Sequence, residues 1–193
     1  MDDENARPEY SREPTIDDLV VLCRHLNEAG VNYVVIGGFA IILNGYTRTT
    51  GDVDLLVDST IENVDRIKQA LLYLPDKAIA EVNAEEVAQY SVVRVADEIL
   101  IDLMHKACEV TYAKAKDYIA YRDIEGTKIP FLKPELLIQT KLTVRAKDAP
   151  DRMFLEYLLA QQHDASSAVK SKTARMTKGG FLHFLRTLFR RPD

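Results

Sequence analysis

Val34-Val35-Ile36-Gly37-Gly38-Phe39-Ala40, followed after Tyr46-Thr47-Arg48-Thr49-Thr50-Gly51 by Asp52-Val53-Asp54-Leu55-Leu56-Val57-Asp58, decides how this chain is read. The segment is an apolar strand, a Gly-Gly turn into a short helix, a loop, and a second apolar strand opened by two aspartates at alternate positions. In a strand, residues i and i+2 point to the same face, about 6.6–7 Å apart along the backbone. Two carboxylates so placed invite a hard divalent cation. Glycines at a helix start let backbone N–H groups approach a phosphate closely. A metal site beside a phosphate cradle points to phosphoryl or nucleotidyl transfer. The alternative is a polar strand entrance, since Gly51-Asp52 is also turn chemistry.

Working outward, Thr15 and Asp18 have capping-box spacing and open an amphipathic helix through Leu19, Leu22, Cys23 and Leu26 to Gly30. Strands are predicted at 31–36 and 53–57, with a short helix from about Gly38 to Asn44 between them, stopped at Gly45. Ser59 or Thr60 caps the next helix, which buries Ile61, Val64, Ile67, Ala70 and Leu71 and ends before Pro75-Asp76. Ser91–Val95 and Ile99–Met104 read as a hairpin around Ala96-Asp97-Glu98. A short helix follows at 111–116, and strands at 119–122 and 128–131 flank Glu125-Gly126. Lys133-Pro134-Glu135 starts a helix reaching about Lys147, and another runs from Ala149 or Pro150 to Gln162. This order predicts an α/β (α+β) fold: a mixed sheet flanked by helices, with a C-terminal helical segment.

Composition narrows the class. With 193 residues, 47% hydrophobic and 28% charged, the chain has the makeup of one globular domain with a small appendage. The net charge of −5 conceals an asymmetry: residues 165–193 carry seven basic side chains against one acid, leaving −11 on residues 1–164. Cys23 and Cys108 form no C-x-x-C pair, the four histidines are dispersed, and the acidic start Met1-Asp2-Asp3-Glu4 lacks signal-peptide features. No apolar run approaches the roughly 20 residues that span a bilayer. The expectation is a cytoplasmic protein without a transmembrane segment.

Ile99-Leu100-Ile101-Asp102-Leu103-Met104 is an apolar strand interrupted by one charge. A buried, unpaired carboxylate is costly, so Asp102 is expected either to meet a cation or to sit at a sheet end open to water. If this strand lies beside the Asp52/Asp54 strand, three carboxylates converge as in sites that hold one divalent ion, or two about 3.5–4 Å apart, for in-line displacement at phosphorus. The third aspartate would then also suit acceptance of the proton of an attacking hydroxyl.

Gly37-Gly38, Asp52-x-Asp54 and Asp102 together resemble the nucleotidyltransferase superfamily, whose fold is shared with DNA polymerase β. Arg48-Thr49-Thr50-Gly51-Asp52-Val53-Asp54-Leu55 is similar to the bacterial AbiEii-type and small stand-alone members. So is Lys133–Leu142 followed by Arg145-Ala146-Lys147-Asp148-Ala149-Pro150-Asp151. The resemblance covers residues 15–163. It implies that Asp52, Asp54 and Asp102 are catalytic and bind Mg²⁺ (or Mn²⁺), and that Gly37, Gly38, Arg48, Thr50, Lys141 and Arg145 bind the NTP. Arg48 and Arg145 are placed either on phosphate or as braces of the loop, and Arg145 and Asp148 also have the spacing of a structural helix pair. Many relatives carry Ser after the first glycine, where this chain has Gly38.

The domain plan expected is a flexible N-terminus (1–14), a nucleotidyltransferase core (15–132), C-terminal helices packed on it (133–164), and a basic linker with an amphipathic tail helix (165–193). The reaction implied is transfer of a nucleoside monophosphate from an NTP to a hydroxyl or phosphate. The acceptor is RNA, such as a tRNA end, if the chain is the toxin of a toxin–antitoxin pair with a cognate antitoxin; it is a small molecule in an aminoglycoside- or lincosamide-modifying enzyme. A nucleotide-binding module with little catalysis is the reading of another class. The tail, with apolar Phe181, Leu182, Phe184, Leu185, Leu188 and Phe189, fits docking on this domain or a second subunit (a homodimer), binding to nucleic acid, or an anionic membrane surface. His105 and Tyr46 suggest a general base and a base-stacking ring, but each equally suits packing within the domain.

Overall fold

The computed structural model describes residues 11–142 and 148–164. Arg145, the first ten residues, and the tail with its expected helix at 181–189 lie outside the described residues. The chain divides at Leu155/Glu156 into two units; of the second, residues 156–164 are helical, with Gln161 and Tyr157 joined by a hydrogen bond.

The first unit begins with α1 (Ile16–Glu28), opened by the expected capping box: Thr15 Oγ1 accepts from Asp18 N, and the Asp18 carboxylate accepts from Thr15 N. Strand β1 (Tyr33–Val35) runs into α2 (Gly37–Leu43), and β2 (Val53–Val57) into α3 (Ile61–Leu71). After a 3-10 turn at Ala78–Glu81 and α4 (Glu86–Gln89) comes the hairpin of β3 (Val93–Ala96) and β4 (Leu100–Met104). A small ribbon, β5 (Lys106–Ala107) and β6 (Val110–Thr111), leads to α5 (Tyr112–Ala115). A second hairpin follows, β7 (Ile119–Ile124) and β8 (Thr127–Leu132). The main sheet has the order β3-β4-β2-β1-β8-β7. Two pairings, β2 with β4 and β1 with β8, are parallel, and the rest are antiparallel. This is the expected mixed sheet flanked by helices.

Strand alternation assigns the faces. Val53, Leu55 and Val57 of β2, with Ile101 and Leu103 of β4, join the core built with Leu19, Leu22 and Leu26 of α1 and Val64, Ile67 and Leu71 of α3. Leu56 of β2 turns the other way, into a smaller core with Val34, Leu132, Leu136, Leu137 and Leu155. Even-numbered positions of β2 and β4 therefore belong to the second face, and Asp54 and Asp102 are among them. Burial in the first core pushes the Cys23 thiol pKa up to about 12, which leaves it an inert apolar side chain.

Two local expectations are corrected. Ile61 is exposed rather than part of the α3 stripe; Asn63 is buried in the first turn instead. Its carboxamide accepts from Asn32 N and donates to Asn32 O and Asp58 O, so a polar side chain ties the helix start to the strand entrance. The helix expected from Lys133 to about Lys147 is only α6 (Pro134–Leu137) with a 3-10 turn at Ile138–Lys141. The backbone leaves helical geometry at Leu142 (φ −78°, ψ 59°). The Thr140 hydroxyl donates back to Leu137 O, and Lys141 is held by ion pairs described below, which stops the helix there. Its successor starts at Asp148, and residues 148–164 are helical. The short elements at 78–81, 86–89, 106–107 and 110–111 have no periodic signal strong enough to announce them.

Ser11 and Arg12 are tied to the β3–β4 turn. Arg12 N donates to Glu98 O, Ser11 Oγ to Asp97 O, and the Arg12 guanidinium makes a forked pair with Asp18. Asp97 is fully buried in that turn and accepts from the backbone N–H groups of Asp76, Ala78 and Glu98. Asp97→Ala leaves three donors without this partner and is expected to cost about 3 kcal/mol, a fall in melting temperature of about 6–12 °C in a thermal scan. Hydrogen bonding from Arg12 holds the Asp18 carboxyl well below the usual carboxylate range. Its contribution is therefore complete above the unfolded pKa of about 4 and fades as pH falls below it. Asp18→Asn should flatten stability against pH between about pH 2 and 5 relative to the wild type, as read by urea denaturation.

Candidate active site

The parallel register of β2 on β4 sets Asp54 directly beside Asp102. Asp52 lies two residues before Asp54 and faces the same way. One oxygen from each of Asp52, Asp54 and Asp102 lies within 4.8 Å of the others. Asp102 is buried, at 4% exposure, while Asp52 and Asp54 are half-buried. The juxtaposition conditional on strand neighbours is thus realised.

Gly37 forms the wall of this cluster. Its φ of +61° lies in the left-handed region, and a Cβ there would come within 1.7 Å of Asp54 Oδ2. Gly37 lets the carboxylate lie against the turn that starts α2. At Gly38 a Cβ would meet Thr50 Oγ1 at 2.2 Å. The Thr50 hydroxyl, 3.3 Å from Asp52 O and 3.4 Å from Asp52 Oδ1, fills the space that a side chain at position 38 would need. Gly38 and Thr50 are therefore complementary, which accounts physically for the absence of Ser at this turn.

Sequence reading missed Arg94. It stands opposite Asp102 across the β3–β4 ladder, on the carboxylate face. Its Nε and one terminal nitrogen donate to the two Asp102 oxygens at 2.8 Å each. The same fork reaches to 3.8 Å from Asp52 Oδ2. The hydrogen bond to Asp102 raises the Arg94 pKa most; burial opposes this, and the charges of Asp102, Asp52 and Asp54 add to it. The signal was present: Arg94 and Asp102 are the lone charges of two apolar strands, equidistant from the centre of one hairpin.

Of the predicted nucleotide ligands, Arg48 and Lys141 lie in a second network. Arg48 Nη1 donates to both Asp151 oxygens at 2.6 and 2.5 Å. Lys141 Nζ is 3.0 Å from Asp151 Oδ2 and 3.4 Å from Asp148 Oδ1. This network is shielded from water: Lys141, Asp148 and Asp151 are buried. These ion pairs fasten the loop before β2 and the end of the 3-10 turn to the helix starting at Asp148. His105 Nδ1 lies 3.0 Å from Val87 O and 3.2 Å from Tyr90 O, so it donates to backbone carbonyls, a structural arrangement. Tyr46 packs on Phe154, ring centroids 4.8 Å apart. Among the described residues no buried side-chain nitrogen or oxygen lacks a hydrogen-bond partner.

Asp151 joins Arg48 and Lys141, so removing its charge takes the carboxylate from Arg48 and leaves Lys141 with Asp148 alone. Asp151→Asn is expected to lower unfolding free energy by about 3–5 kcal/mol in urea denaturation. Arg48→Gln should cost less, because the Lys141 pair survives.

Carboxylates are hard oxygen donors, and three of them beside a glycine turn form a set suited to a divalent cation. Among solved structures, one described as "Crystal structure of a putative nucleotidyltransferase" from Thermotoga maritima matches at 17% identity, covering 83% of this chain and 92% of that one, with a TM-score of 0.46. No curated protein matches. Among the described residues, no helix is long and apolar enough to cross a membrane. The family described as "Nucleotidyl transferase of unknown function (DUF2204)" matches residues 15–177, most of the sequence, and the chain belongs to that family.

Proposed function

We propose that this chain is a divalent-metal-dependent nucleotidyltransferase that moves a nucleoside monophosphate from an NTP, such as ATP, to an acceptor hydroxyl or phosphate and releases pyrophosphate. The observation that carries this reading is the convergence of Asp52, Asp54 and Asp102 within 4.8 Å against the Gly37 turn. These three residues would hold Mg²⁺ or Mn²⁺. When bound, the cation supplies neutralisation of triphosphate charge and orientation of the α-phosphorus for in-line attack. Gly37 and Gly38, packed without side chains against Asp54 and Thr50, would let backbone N–H groups approach a phosphate there, and the Thr50 hydroxyl lies next to Asp52. The acceptor oxygen forms the new bond to the α-phosphorus as the bond to the β-phosphate oxygen breaks; with a hydroxyl acceptor, the Asp102 carboxylate takes the proton. A Gly37 side chain would collide with Asp54, which supports a role for this close approach beyond simple turning.

Lys141 and Arg48 act in this reading from behind, holding the wall of the nucleotide site through Asp151. Arg145 completes the phosphate-binding set by resemblance alone. Retention of all three carboxylates favours an active enzyme over a binding module. Within the superfamily, we set the chain beside the small bacterial AbiEii-type and stand-alone nucleotidyltransferases, acting in the cytoplasm, with RNA as the acceptor if it is the toxin partner of a cognate antitoxin. The basic residues 165–193 favour an RNA acceptor or a second subunit, and the −11 of residues 1–164 favours a cationic small molecule such as an aminoglycoside.

Incubation with each α-labelled NTP, Mg²⁺, a tRNA pool and an aminoglycoside panel tests both acceptors at once. The wild type is expected to label one class. Asp54→Asn should lower transfer by about 10³-fold or more with an unchanged circular dichroism spectrum. Undiminished transfer in that variant overturns the metal assignment.

A further inference from the structure

We infer that Arg94 is a built-in counterion that keeps Asp102 out of the metal site in the nucleotide-free chain, so that Asp52 and Asp54 alone take a first divalent cation and Asp102 joins only when the guanidinium leaves it. The inference rests on the metal-site reading above and assigns a resting state to it.

Geometry carries the argument. Both oxygens of Asp102 are engaged by one planar fork at 2.8 Å, the bidentate arrangement in which guanidinium and carboxylate match best. The contact is fixed by the backbone, because Arg94 and Asp102 are register partners in the β3–β4 ladder and share a face. Asp102 is at 4% exposure, so water competes poorly for it. Arg94 also stands 3.8 Å from Asp52 Oδ2, inside the carboxylate cluster rather than at its rim.

Charge leads to the same state. Of the three carboxylates, Asp102 is the one whose charge the Arg94 fork offsets directly. A second divalent ion would meet a fixed positive charge at close range, and such repulsion is large in a partly buried site. A triphosphate changes the balance, since it brings several negative charges and offers the fork another bidentate partner. Arg94 would thereby make completion of the metal site depend on arrival of the nucleotide. Arg94 is in these terms a positioning residue, acting through Asp102.

The test is Mn²⁺ binding to the full chain without nucleotide, followed by calorimetry and by the electron paramagnetic resonance signal of free Mn²⁺. The wild type is expected to bind one ion per chain. Asp102→Asn alone leaves Arg94 uncompensated beside Asp52 and should weaken binding, whereas Arg94→Gln with Asp102→Asn removes both charges of the pair and should keep the affinity within about twofold of the wild type. Arg94→Gln should tighten binding by about tenfold or admit a second ion, and adding Asp102→Asn to that background should erase the gain. Equal stoichiometry and affinity in Arg94→Gln and wild type overturn the inference. So does tenfold weaker binding in the Arg94→Gln/Asp102→Asn double variant, a result that decides the matter even if Arg94→Gln alone fails to fold, because there both charges of the pair are removed together. In either case, binding that still requires Asp54 leaves the metal centre standing. Binding indifferent to Asp54→Asn removes both.

Discussion

Repulsion among three carboxylates within 4.8 Å is the constraint to which this structure answers. Such a cluster is unfavourable in a partly buried place unless positive charge is brought to it. The protein supplies that charge from its own sheet, through a guanidinium on the strand adjoining Asp102. The β3–β4 hairpin is therefore both the edge of the fold and the electrostatic support of the site. Its turn is secured by the buried Asp97 and by residues 11–12, so the position of Arg94 depends on contacts at the far end of the hairpin.

A second network shows the same principle with opposite bookkeeping. Asp151 takes two cations, Arg48 from the loop before β2 and Lys141 from the end of a 3-10 turn. Neither contact lies within the sheet, yet together they set the position of the loop that delivers Thr50 and Asp52. The family match supports nucleotide chemistry for the domain. The ion pairs explain why positively charged residues of the motif need not all touch a nucleotide to matter for it.

Much of the fold was legible because its signals are local. The Thr15/Asp18 cap, the strand at 53–57 and the two hairpins follow from side-chain periodicity and turn chemistry. Ile61 and the helix beyond Leu137 misled for a shared reason. In each, a polar contact distant in sequence (Asn63 with Asn32; Lys141 with Asp148 and Asp151) outweighed the apolar pattern. A single sequence shows apolar spacing directly but shows a pairing only when both partners are already suspected.

By itself the sequence determined the elements, the Gly37-Gly38 turn, the three aspartates and the shared face of Asp52 and Asp54, because period-two alternation and glycine stereochemistry act within a few residues. Tertiary structure alone decided that β4 lies parallel beside β2 and so sets Asp102 against Asp54. It also decided that Arg94 pairs with Asp102 in the cluster, that Thr50 fills the space over Gly38, and that Arg48 and Lys141 meet at Asp151. The physical reason is that strand order and the partnering of buried charges are settled by the free energy of the whole packed domain, in which every charge removed from water must find its opposite.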